Sequence, residues 1–176
     1  MSHKLGQNRR LLITTIVTLL IWGHIAWDYF HGGIPTHYLF HDANMPGIPN
    51  WLGGIVLPFF TYFLLYRMHK RIDSPNSKEN VQQVVLSFLA SALIAISISI
   101  CFMNEIDVID YIMVALFILA FFKPLYKAEY LLGWVLGSSF TFGAIIPIGF
   151  GSLICLLFFL FYKVGSGLGS LLKAKN

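Results

Sequence analysis

Six apolar stretches divide almost the whole chain between them, and most of the charge falls in the gaps. They run roughly over 11–31, 51–67, 81–102, 108–125, 130–147 and 150–164. At about 1.5 Å of rise per residue, about 20 apolar residues cross a hydrocarbon core of about 30 Å. Inside that core the backbone must satisfy its own N–H and C=O groups, which leaves helices and closed barrels. Long apolar runs without strand-like alternation therefore predict an all-α, polytopic membrane protein, one bundle of about six transmembrane helices that takes up the chain from 1 to 176.

Composition agrees with a lipid solvent. Only 11% of residues are charged and 57% are hydrophobic, against about 25% charged residues in an ordinary soluble domain. The first run follows Arg9 and Arg10 as a signal peptide would, but Trp22, His24, Trp27 and Asp28 leave no small-residue cleavage site, so it is expected to be a retained helix. Cys101 and Cys155 both lie inside apolar runs, which argues against a disulfide framework or a thiolate metal site.

Charge sets the expected orientation. Six spans put all twelve Lys and Arg, from Lys4 to Lys175, on one side, and cytoplasmic loops are the ones enriched in these residues. Both termini are thus expected inside (N-in/C-in). A five-span alternative would carry Lys163, Lys173 and Lys175 across. Only about 33 residues separate Tyr130 from Val164, so the turn is expected at Pro147 to Gly151 and the last helix is expected to be short or tilted. The net charge of +4 belongs to the inner loops and fits anionic lipid headgroups; it is no sign of nucleic-acid binding. A bacterial inner membrane is the expected location, from the small bundle and terse loops.

The opposite, outer side gathers Asp42, Glu105, Asp107 and Asp110 with His31, His37 and His41. His24, Asp28 and His31 fall at i, i+4 and i+7, on one helical face. Such ionisable groups below the headgroups are costly and by default point to function. Gly32, Gly33 and Pro35 end that helix. Pro35 also suits the first turn of a short helix on which His37 and His41 would share a face. The rigid Met45-Pro46-Gly47-Ile48-Pro49 turn and an N-capping Asn50 lead into the second span. An ordered loop folded over the first helix end is the expectation.

Imidazole and carboxylate donors without thiolates suit a divalent transition metal, Zn²⁺ or Fe²⁺ before Ni²⁺ or Cu²⁺, and disfavour Mg²⁺ and Ca²⁺. The candidate ligands are His24, Asp28, His37 and His41, with His31 and Asp42 as general base or orienting groups. Such a metal would polarise a carbonyl or phosphoryl oxygen and bring a bound water's pKa toward about 7. The expected activity is a metal-dependent hydrolase or lipid-modifying enzyme at the outer leaflet; metal-ion binding or transport, and a non-catalytic assembly subunit, are the alternatives. Transport has the thinner case, because Ser and Thr are the only midplane polar groups of note. This chemistry is similar to that of membrane hydrolases of the alkaline-ceramidase type, but their ligands include a late His pair and the last four spans here hold no histidine. No residue role is carried over.

Plainer readings stand beside these. His31 fits a helix C-terminus, where a cation suits the dipole; His24 with Asp28 fits an interhelical clamp; the run Glu105, Asp107, Asp110 fits a solvated turn. Membrane lipids are the expected partners. Gly133-x-x-x-Gly137 has the small-xxx-small pattern of close helix packing, which also serves homo-oligomers.

Overall fold

A computed structural model describes residues 6–38, 42, 44–74, 77 and 80–174, with side chains as far as residue 167. Among them are six helices: α1 (Gln7–Phe30), α2 (Trp51–Ile72), α3 (Val81–Met103), α4 (Ile109–Ala120), α5 (Ala128–Phe142) and α6 (Ile145–Ala174). Two short strands, β1 (Thr36–Tyr38) and β2 (Gly47–Pro49), lie between the first two helices. Helices α1, α2, α3 and the 145–167 part of α6 are long and apolar enough to cross a membrane; α4 is a shorter apolar helix of 12 residues.

Helix α5 has only 15 residues, yet it runs beside most of α2. Glu129 at its start meets Arg71 of α2. Just past its end, Ala144 lies against Gly53, where an added Cβ would stand 2.9 Å away. The stretch of α2 between those two levels is about 27 Å tall at about 1.5 Å per residue. Chain direction, together with the α2–α5 ion pair and the contact of Gly165 with Phe121, gathers Arg9, Arg10, Arg67, Arg71, Lys123, Lys127 and Lys163 at one end of the bundle. Lys4, Lys78 and Lys175 fall outside the described residues, as does the side chain of Lys173.

Local chemistry explains the helix starts. Asn80 caps α3: its Oδ1 accepts from the Gln83 N–H at 2.8 Å, while Gln83 Oε1 accepts from the Asn80 N–H, a reciprocal capping box. Basic His69, Lys70 and Arg71 occupy the last turn of α2, where cations complement the helix dipole. His69 pairs with Asp73 there.

The α5–α6 connection departs from expectation. The turn is at Gly143 and Ala144, four residues earlier than Pro147, and α6 is the longest helix, with 30 residues. Gly143 has φ +68 and ψ 170, a backbone state open to glycine and strained for other residues. Pro147 falls in the first turn of α6, where its missing N–H costs no hydrogen bond.

Packing uses small residues where backbones meet. A Cβ on Gly133 would stand 2.4 Å from the Phe88 carbonyl oxygen, and one on Gly137 2.7 Å from that of Ala92. Without a hydrophobic drive between helices in lipid, such close approach and interhelical hydrogen bonds hold a bundle together. Ser91 Oγ supplies one, donating to the Tyr130 carbonyl at 2.6 Å. The small-residue face thus joins α3 to α5 within one chain. One buried cluster unites Ile21, Ile25, Leu57, Leu64, Leu132 and Val135, and a second joins Ala120, Leu125, Ile154 and Phe158. Leu19, Leu20, Phe59, Leu93 and Phe122 form part of the exposed apolar perimeter.

Candidate functional site at the histidine-bearing end

The site begins in the last two turns of α1. His24 and Asp28, four residues apart, project to the same side, with Nε2 and Oδ2 3.7 Å apart and each side chain about one-fifth exposed or less. The separation is within ion-pair reach and too long for a direct hydrogen bond. The His24 ring stacks on Phe140 of α5 with centroids 4.6 Å apart. Phe140 is itself 71% exposed on the perimeter, so the pair sits beside an exposed apolar edge of the bundle.

Asp28 is reached from a second helix. Asn50 stands at the N-cap position of α2, yet its side chain makes no cap hydrogen bond. Its Nδ2 donates instead to Asp28 Oδ2 at 3.3 Å, a correction to the expected capping role. The Asn50 side chain thus ties α1 to α2 in place of capping α2. Asn50 Oδ1 is buried without a hydrogen-bond partner among the described residues.

After α1, Thr36–Tyr38 and Gly47–Pro49 pair as two antiparallel strands, so the described part of the expected short helix from Pro35 to His41 is strand. Thr36 pairs with Pro49, His37 with Ile48 and Tyr38 with Gly47, antiparallel, and the Asn50 N–H closes on the Pro35 carbonyl at 3.0 Å. β-Branched Thr36 and Ile48 and aromatic Tyr38 suit a strand, while Gly32 and Gly33, with φ of 125 and 101, reverse the chain after α1. His37 is therefore on a strand, which removes the helical pairing with His41 that the spacing suggests; His41 lies outside the described residues. The hairpin folds the His37 ring over Gly143: a Cβ there would stand 2.8 Å from His37 Cδ2 and 3.1 Å from Asn50 Oδ1. Glycine at this position lets the loop close on the helix ends.

Two expected participants stand elsewhere. His31 Nδ1 contacts the Trp27 carbonyl oxygen at 2.9 Å and its ring stacks on Trp27 with centroids 3.8 Å apart, both exposed. Both contacts are with the last turn of its own helix. Asp42 is exposed and accepts from the backbone N–H and side-chain amide of Asn44, each at 2.9 Å, which fixes a local turn. Among the described residues no three His, Cys, Asp or Glu side chains stand together in a group able to hold a metal ion; the expected set of His24, Asp28 and His37 does not converge, and His41 is not described. The residues that sequence reasoning missed are Asn50, as the partner of Asp28, and Phe140. No spacing signal in the sequence connects either one to His24 or Asp28.

Fold and site together define an all-α polytopic membrane protein with a half-sheltered His–Asp pair at one end. Comparison with known proteins leaves the assignment there: no family model, no curated protein and no solved structure matches the chain.

Proposed function

We propose that the protein is a membrane-embedded hydrolase or related lipid-modifying enzyme that works at its histidine-bearing end, with His24 as general acid–base and Asp28 as the carboxylate that orients it. One observation carries the reading: a His–Asp pair lies beside the exposed Phe140, its carboxylate tethered by Asn50 from another helix. A clamp between α1 and α2 needs only Asp28 and Asn50. The imidazole adds a group able both to take and to give a proton. Asp28 faces Nε2, which leaves Nδ1 to take a proton from water as the water attacks a carbonyl or phosphoryl centre, and to return it to the leaving group. The substrate class is a lipid whose apolar body enters past Phe140 and whose head lies under the His37 hairpin.

The proposed setting is a bacterial inner membrane, with the lysine-bearing end in the cytoplasm by the positive-inside rule. A divalent metal, ion transport and a purely structural role remain as outcomes of the test. Purified protein in liposomes is offered a panel of phospholipids and acylglycerols, with products read by mass spectrometry beside metal content and melting temperature. His24→Ala should cut turnover of the accepted lipid by about 10²-fold or more and leave melting nearly unchanged, while Asn50→Ala lowers both. Activity that is unchanged in His24→Ala refutes the acid–base role. If no lipid is turned over and His24→Ala melts as low as Asn50→Ala, the pair is a clamp and the assembly reading leads. Turnover abolished by chelation and restored by Zn²⁺ or Fe²⁺ would return the metal reading.

A further inference from the structure

At the other end of the bundle, a crevice of about 330 Å³ opens between α3, α4, α5 and α6. Ile94, Met113, Leu116, Trp134, Ile154 and Phe158 give it apolar walls, and Lys123 stands at its lysine-bearing end. Its volume is about twice that of a 150 Å³ apolar cavity that holds one benzene ring, which corresponds to roughly a dozen chain carbons. A second hollow of about 230 Å³ adjoins it and is mixed, with Gln83, Ser87, Lys127 and Glu129 beside Val84 and Pro124 in its lining. Tyr130 forms a wall of both. Its hydroxyl accepts from Ser87 Oγ at 3.2 Å, and its carbonyl accepts from Ser91 Oγ, so this partition is fixed to α3.

An apolar slot that ends in a mixed hollow, with a lysine beside each, has the chemistry of an amphiphile with an anionic head. We infer that the crevice binds one acyl chain of an anionic glycerophospholipid from the lysine-side leaflet, its phosphate lying between Lys123 and Lys127. The juxtaposition at Tyr130 of an apolar crevice and a hollow with polar and charged groups in its lining decides for a lipid over a wholly apolar guest. With Glu129 already paired to Arg71, the two lysines decide for an anionic head. Trp134 lies on the crevice wall about two turns of α5 from Lys127, at the depth of the acyl chain. This site lies at the opposite end from His24 and does not depend on the enzymatic reading.

Trp134 also reports on the site. With Trp22, Trp27 and Trp51 each replaced by Phe, the full-length protein is placed in phosphatidylcholine vesicles that contain a minor fraction of chain-brominated lipid, and quenching of Trp134 is measured. Brominated phosphatidylglycerol should quench severalfold better than the same fraction of brominated phosphatidylcholine, since each lysine near a surface favours anionic lipid by about fivefold. Lys123→Gln/Lys127→Gln should erase that preference. Ala90→Phe, at an exposed position on the crevice lining, should weaken quenching by both lipids. Equal quenching by the two lipids in the parent protein would overturn the headgroup assignment. Quenching untouched by Ala90→Phe would overturn the acyl site. The lysine pair lies in the turn between α4 and α5, so its variant keeps the test decisive even if Ala90→Phe fails to fold.

Discussion

Replacing Gly133 by Ala adds a single methyl group where α5 touches the backbone of α3, and the geometry sets the size of the effect. The new Cβ would lie 2.4 Å from the Phe88 carbonyl oxygen and 2.9 Å from the Ala92 nitrogen, against an ordinary contact of 3.4 Å or more. Both obstacles are backbone, so no side-chain rotation relieves them. The helices must separate by about 3.4 − 2.4 = 1.0 Å. The same movement stretches the Ser91 Oγ to Tyr130 O bond from 2.6 Å to about 3.6 Å, where it ceases to be one. Overpacking of this kind costs about 1–3 kcal/mol, and an interhelical hydrogen bond in a membrane protein about 0.6 kcal/mol. The sum, less the about 0.5–1 kcal/mol by which Ala favours a helix over Gly, is about 0.5–3 kcal/mol and lowers the melting temperature by about 1–12 °C at about 2–4 °C per kcal/mol. Thermal unfolding in a mild detergent, followed by helical circular dichroism, measures it. Gly149→Ala is the control, since nothing lies within 4 Å of a Cβ there and Ala favours a helix over Gly by about 0.5–1 kcal/mol. If Gly133→Ala melts with Gly149→Ala, the close α3–α5 contact is wrong.

Two more predictions follow from charge. Glu129 is 2% exposed and paired with Arg71. Arg71→Ala strands its carboxylate and should cost about 3–5 kcal/mol, while Arg71→Met/Glu129→Leu should recover most of that loss; equal melting of the single and double variants would contradict the pairing. In a background free of Cys101 and Cys155, Asp107→Cys should react with an impermeant maleimide in intact cells and Ser77→Cys only after permeabilisation, as the charge distribution demands. The reverse pattern would invert the topology.

The apolar runs specified the helices, because lipid imposes the same local demand on each one: satisfy the backbone within the segment and present apolar side chains outward. Charge placement was equally legible, and described Lys and Arg from five of the six helices and their turns gather at one end. The α5–α6 turn was also within reach of the sequence, since glycine just beyond one helix and proline inside the start of the next is a local signature; Gly143 and Pro147 fit it once Gly143 is read as a helix stop. The β-hairpin was not, for its pairing of Thr36 with Pro49 joins residues far apart in the chain, and Pro35 served a helix start equally well in the one-dimensional pattern. The site divided in the same way. Periodicity alone aligned His24 with Asp28 and also with His31, but it could not show that the His31 ring turns back onto Trp27 while Asp28 receives Asn50 from α2. Hydropathy was likewise blind to the Arg71–Glu129 pair, because a window average registers a charge as a penalty and is indifferent to the partner that another helix brings to it. Sequence fixed what each segment needs from its solvent; only the tertiary structure decided which polar group answers which, since those partners meet through packing between helices and carry no mark in the local chain.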